Sequence, residues 1–166
     1  MVRYSFTGQL FARVCWQVKC REGMILTPTT DIMVPARLES IPRISSEIGL
    51  FMHDTGFPDP QILDMQLAIE EAVTNSIRHG YRGNPGDITI HCESGPELMT
   101  VVIIDNAPAF NPLSMPQPDT SSPLEERKTG GLGIYLLRQV TDSVAYRYES
   151  GKNILTLTKR KKNTGF

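Results

Sequence analysis

The chain has 166 residues, 40% of them hydrophobic and 21% charged, a globular balance that excludes a largely disordered protein. Seventeen basic against eighteen acidic residues give a formal charge of −1, without the basic excess of a nucleic-acid binder, and no apolar stretch approaches the ~18–20 residues of a membrane span. Three cysteines (Cys15, Cys20, Cys92) with no CxxC pair and three histidines (His53, His79, His91) with no metal-ligand spacing fit a reduced, cytoplasmic chain with no zinc site.

In chain order, Arg13, Lys19 and Arg21 interrupt any signal-peptide core. Residues 10–20 instead alternate: Leu10, Ala12, Val14, Trp16, Val18 and Cys20 on one face, Arg13, Gln17 and Lys19 on the other. That is a half-buried strand, which must pair with its own sheet or a neighbour's. We divide the chain into an N-terminal extension, residues 1–28, and a main domain, residues 29–162. A short strand is expected near 31–35. Ser40 as cap, Pro42 and a terminal Gly56 frame a helix with Ile41, Ile44, Ile48, Phe51 and Met52 as its apolar stripe. Asp59 as cap and Pro60 as first helical residue open a second helix. It runs to about His79, stops at Gly80, and buries Ile62, Met65, Ile69, Val73 and Ile77.

Strands follow at about 87–93 and 98–105, joined by a turn at Ser94–Glu97. Met99 to Ile104 is apolar at nearly every position, which predicts a central strand buried on both faces. Between Asn106 and Thr129 five prolines break the pattern, as in a functional lid or a disordered segment. A helix from Gly130-Gly131-Leu132-Gly133 to about Thr141 and a hairpin, 143–149 and 153–159 around Gly151, complete the domain. Lys159-Arg160-Lys161-Lys162 reads as a solvated terminus. The fold class is α+β: a two-layer α/β sandwich, with helices on one face of a mixed sheet.

Three features carry chemistry. Glu71 and Asn75 are four residues apart and share a helix face. A carboxylate beside a carboxamide suits a base plus a neutral oxygen ligand for Mg²⁺, and a solvated polar face is the plain alternative. Asp105 closes an apolar strand, either as a turn starter or as an acceptor for an amine at a pocket floor. The glycine cluster at 130–133 opens a helix, where backbone amides and the dipole favour phosphate, with Lys128 as a candidate cation. Together these are the parts of a nucleotide site.

Glu71-Ala72-Val73-Thr74-Asn75-Ser76-Ile77-Arg78-His79-Gly80-Tyr81 resembles the asparagine box of the GHKL (histidine-kinase-like) ATPases, in the version of the anti-sigma factor serine/threonine kinases. Asp105-Asn106-Ala107-Pro108-Ala109-Phe110 resembles their first glycine box, and Gly130-Gly131-Leu132-Gly133-Ile134-Tyr135-Leu136-Leu137 the second. The resemblance covers residues ~30–160. It implies the Bergerat fold, with ATP and Mg²⁺ as cofactors under a flexible lid. It implies Glu71 as catalytic base, Asn75 as Mg²⁺ ligand, and Asp105 as acceptor for the adenine amine with Thr74 nearby. The amides of Gly131, Leu132 and Gly133 would hold phosphates, and Thr156 would line the adenine pocket. Ala107 stands where the family has glycine. Alanine resists positive φ and adds a methyl group, which bears on pocket shape and adenine affinity.

The chain offers no transducer domain and no phosphoacceptor helix pair. The resemblance therefore implies a kinase of an anti-sigma factor antagonist, with a sigma factor as alternate partner, in a homodimer with no membrane or nucleic-acid contact. A non-catalytic nucleotide-binding sequestering module, and the catalytic part of a histidine kinase system, are the alternatives.

Overall fold

The computed structural model describes residues 15–17, 27–114 and 132–162. Six strands form one sheet: β1 (Cys15–Gln17), β2 (Thr27–Pro35), β3 (Asp87–Ser94), β4 (Leu98–Asp105), β5 (Ser143–Glu149) and β6 (Lys152–Arg160). Three helices pack on it: α1 (Ile41–Asp54), α2 (Asp59–Asn75) and α3 (Leu132–Val140). The spatial order is β1-β2-β3-β4-β6-β5.

The two-layer expectation holds, but the expected mixed sheet is antiparallel at every pairing. The connections explain this. One helix between two strands returns the chain parallel, whereas two helices return it antiparallel. Two helices, α1 and α2, separate β2 from β3. Between β4 and β5 the described residues hold one α-helix, α3, but β6 folds back between the two strands and removes the parallel contact.

The core lies between the helices and one sheet face. Ile32 and Val34, Ile88 and Ile90, Met99 to Ile103 at alternate positions, and Leu155 and Leu157 supply the sheet side. The expected stripes of α1 and α2 are buried against them, with Ile41 only partly so. β4 departs from the expected two-face burial. It is central, yet Thr100, Val102 and Ile104 are only half-buried, because the described helices pack on the opposite face. Cys92 is buried in the core, and burial pushes its thiol up, so it packs as a small apolar residue.

Local details also differ from expectation. β2 begins at Thr27 and gives β1 a partner, with Cys15 opposite Thr29. The remainder of the expected 10–20 strand lies outside the described residues. Ser40 occupies the N-cap position of α1 as expected, but its side chain makes no cap hydrogen bond, since the hydroxyl donates to the Pro35 carbonyl at 2.8 Å. Pro58 occupies the cap position of α2 and Asp59 is already helical. Ser150 and Gly151 both have positive φ, 52° and 77°, the backbone that a tight hairpin turn requires.

The basic run at 159–162 is not simply solvated. Lys159 is 7% exposed. Its ammonium donates to Asp64 Oδ2 of α2 at 2.8 Å and to the Val140 carbonyl at the end of α3. Lys161 donates to the Thr55 carbonyl at the end of α1 at 2.6 Å and lies 5.2 Å from the centre of the Phe57 ring. Cations at helix C-termini satisfy carbonyls that have no partner within the helix. The end of β6 thus stitches the helical layer to the sheet. Among the described residues no helix is long and apolar enough to cross a membrane.

Candidate nucleotide site

The asparagine box begins in regular helix and ends in a wider turn. After Asn75 the backbone continues as a π-helical turn, Ser76–Tyr81, closed by Arg82 at φ 53°. One extra residue per turn shifts the phase of the side chains that follow, a device common at functional sites. Ala72, Asn75, Ser76 and Gly80, spaced i, i+3, i+4 and i+8, all line one cleft. The uniform helix expected up to His79 does not describe this segment.

Asp105 forms the floor of that cleft and is 4% exposed. Three neutral donors hold its carboxylate. Ser76 Oγ donates to Oδ2 at 2.6 Å, while Asn153 Nδ2 and the Ala107 amide donate to Oδ1 at 2.7 and 3.0 Å. No cation forms a salt bridge with it among the described residues. The group is therefore satisfied but not neutralised, the state of an acceptor with capacity to spare.

Tyr81 and Tyr146 brace the surroundings. Tyr81 Oη donates to the Asp87 carbonyl at 2.6 Å and accepts the Asn106 amide at 3.1 Å. Tyr146 Oη donates to Asn153 Oδ1 at 2.7 Å. Burial raises both phenols above the ordinary value of 10.0, and the nearby Asp105 charge adds to the rise. Both remain protonated donors at neutral pH.

Glu71 and Asn75 stand one turn apart, as their spacing predicts. Asn75 Nδ2 donates to the Glu71 carbonyl at 2.8 Å, and Asn75 Oδ1 has no hydrogen-bond donor among the described residues. Glu71 also meets the first turn of α3. A Cβ added to Gly133 would lie 2.1 Å from Glu71 Oε2, so only glycine permits this approach. The candidate base and the candidate phosphate-binding helix start, 62 positions apart in the chain, are in contact. Leu132 opens that helix and is exposed. Lys128 and Gly131, with most of the expected lid, lie outside the described residues.

Two expected site residues are placed elsewhere. Thr156 pairs with Val102 and Ala145. It has the opposite parity to Asn153 and Leu155, which line the cleft, so it points to the other face of β6. Thr74 is not among the cleft residues either, and Ser76 takes the hydrogen bond to Asp105. Asn153 and Ser76 are the residues that sequence reading missed. Leu155 and Leu157 gave a usable signal, because their parity marks the core face of β6 and places Asn153 on it.

Ala107 is accommodated without strain. Its φ is not positive, and its methyl group is buried with 2% exposure. It packs where Gly80 leaves room: a Cβ at Gly80 would lie 3.0 Å from the Ala107 Cβ. The missing side chain at 80 makes space for the additional one at 107.

The cleft is open to solvent, and Phe110, Tyr146 and Asn153 line it together with Asp105 and the asparagine-box residues. An amine-bearing base fits its un-neutralised carboxylate floor. Among the described residues, no three His, Cys, Asp or Glu side chains are grouped to hold a metal. The Asn75 oxygen fits a hard cation that takes most of its ligands from phosphate and water.

Residues 34–159 match the model of the histidine kinase-like ATPase domain. The chain is 30% identical over 129 residues to the serine-protein kinase RsbW of Bacillus cereus (strain AH187), covering 75% of this chain and 81% of that protein. It is 27% identical, with the same coverage, to the serine-protein kinase RsbW of Bacillus mycoides (strain KBAB4). Among solved structures, the RsbU and RsbW domains of Rv1364c from Mycobacterium tuberculosis superpose with a TM-score of 0.56 at 18% identity. That match covers 82% of this chain and 33% of the longer one, so this chain spans a third of its length, and the likeness is one of fold.

Proposed function

This chain belongs to the histidine kinase-like ATPase domain family, and from that premise we propose that it is an ATP-dependent serine/threonine kinase acting on an anti-sigma factor antagonist. The observation that carries the reading is the contact of Glu71 with Gly133, which brings a carboxylate and a helix start together beside the cleft floored by Asp105. Bound ATP supplies the phosphoryl group, and Mg²⁺ supplies charge neutralisation. Asp105 accepts the adenine amine. The amides at Gly131, Leu132 and Gly133 would hold the phosphates, with Lys128 as an added cation. Asn75 Oδ1 would ligate the metal. Glu71 orients the attacking hydroxyl and takes its proton as the oxygen bonds to phosphorus and ADP departs.

Glu71 and the unstrained Ala107 together favour this over a non-catalytic sequestering module. In this reading the enzyme is a cytoplasmic homodimer that exchanges the antagonist for a sigma factor as phosphorylation proceeds. Residues 29–162 carry the chemistry, and residues 1–28 add the β1 strand to the sheet edge.

The test is capture of partners from the native cell with and without Mg-ATP, followed by phosphoamino-acid analysis. A captured small protein carrying acid-stable phosphoserine or phosphothreonine supports the reading. Acid-labile phosphohistidine, or no phosphorylated partner, contradicts it.

A further inference from the structure

We infer that Asn153 is a positioning residue for base recognition, locked by Tyr146 so that it dictates which oxygen of Asp105 remains available to a nucleobase. The inference rests on the ATP-site reading above and adds a device that sets its selectivity.

Hydrogen-bond accounting carries the argument. A carboxamide has two N–H donors and an oxygen with two acceptor positions. Both acceptor positions of Asn153 Oδ1 are filled, by the Phe110 amide at 3.0 Å and the Tyr146 hydroxyl at 2.7 Å. Its Nδ2 donates to Asp105 Oδ1 at 2.7 Å and to the Ala107 carbonyl at 3.0 Å, with a longer contact to the Pro108 carbonyl at 3.3 Å. A flipped amide would set an N–H group against the Phe110 amide and its oxygen against the Asp105 carboxylate and the Ala107 carbonyl. The network therefore fixes one orientation.

That orientation passes to Asp105. Its Oδ1 takes hydrogen bonds from Asn153 and the Ala107 amide and is full. Among the described residues Oδ2 takes one, from Ser76, which leaves it one acceptor position. A 6-amino group fills that position. A 6-oxo group brings a further acceptor to a carboxylate and is rejected. Tyr146 is two contacts from Asp105, and its hydroxyl acts through Asn153. Asn153 also ties residues 107–110 to β6, so base recognition and the position of this loop share one side chain.

The experiment is calorimetric titration of the full chain with ATP and with ITP, which differs in carrying a 6-oxo group. The proteins are the wild type, Asp105→Asn, Tyr146→Phe and Asn153→Asp, each with its melting temperature. We expect wild type to prefer ATP. Tyr146→Phe should weaken ATP binding about two- to tenfold, the loss of one hydrogen bond, and lower the ATP-to-ITP ratio by a similar factor. Asn153→Asp should do so more strongly. A lower melting temperature with an unchanged ratio in Tyr146→Phe would show a merely structural role and overturn the inference, whether or not Asn153→Asp folds. A wild type without base preference, or an Asp105→Asn variant that keeps it, would overturn the ATP-site reading as well.

Discussion

Two charged side chains are buried between α2 and the sheet, at opposite ends of the same strand pair. Asp105 ends β4, where it pairs with Asn153, while Lys159 of β6 pairs with Met99 at the start of β4. Their partners on and just beyond α2, Ser76 and Asp64, are separated by about 18 Å at 1.5 Å per helical residue. Lys159 is closed off by a carboxylate and a helix-terminal carbonyl. Asp105 is surrounded by neutral donors and opens on a cleft. A buried charge that is neutralised holds structure together. One that is only hydrogen-bonded keeps a field and an acceptor position for a ligand. The molecule has a stitched end and a working end, and α2 connects them.

Substitutions at the two ends should therefore separate activity from stability. The largest effect is expected at Glu71. Glu71→Gln should lower phosphoryl transfer by roughly 10²–10⁴-fold, with ATP affinity and melting temperature nearly unchanged. Glu70→Gln, about 100° away around the helix, should remain active in the same assay. Loss of activity in the second variant instead would reverse the assignment. Next is Gly133→Ala, whose methyl group would displace the Glu71 carboxylate. A misplaced base should cost roughly 10–100-fold in turnover, read as kcat in a single-turnover assay, with near-wild-type stability.

At the stitched end the signature should invert. Lys159→Met removes the ammonium and leaves the Val140 carbonyl unpaired. Asp64 can rehydrate because its side chain is 40% exposed, so the cost should be about 1–3 kcal/mol, less than for a fully buried pair. Urea unfolding would measure it, and turnover of the folded fraction should persist. Loss of ATP binding in this variant without loss of stability would break the division between the two ends. The smallest effect is expected between Gly80 and Ala107. Gly80→Ala should destabilise by about 1 kcal/mol through crowding, and adding Ala107→Gly should restore most of it. An additive double mutant would show that the two positions do not share this space.

The division was only partly legible in the sequence, for a physical reason. Contacts at i and i+4 are local, so the Glu71–Asn75 face and the stripe from Ile62 to Ile77 could be read from spacing. The two hairpins were legible because alternation and turn residues are local too. What was missed depends on elements that meet in space. The acceptance of a Ser76 hydroxyl by Asp105 joins a helix end to a strand end 29 residues away. The choice of Asn153 over Thr156 depends on strand parity, which the core residues Leu155 and Leu157 reveal. The role of Lys159 depends on the end of α3 lying over β6. A run of four basic residues looks solvated until that helix is in place.

The central claim is that the un-neutralised carboxylate beside the cleft reads an adenine amine. Calorimetric titration of wild type and Asp105→Asn with ATP, after confirming that both share the same circular dichroism and melting profile, tests it most directly. The account predicts at least tenfold weaker binding in the variant, about 1.4 kcal/mol, as expected for losing a hydrogen bond to a charged acceptor. Equal affinity in two equally folded proteins would remove Asp105 from the nucleotide site and contradict the account.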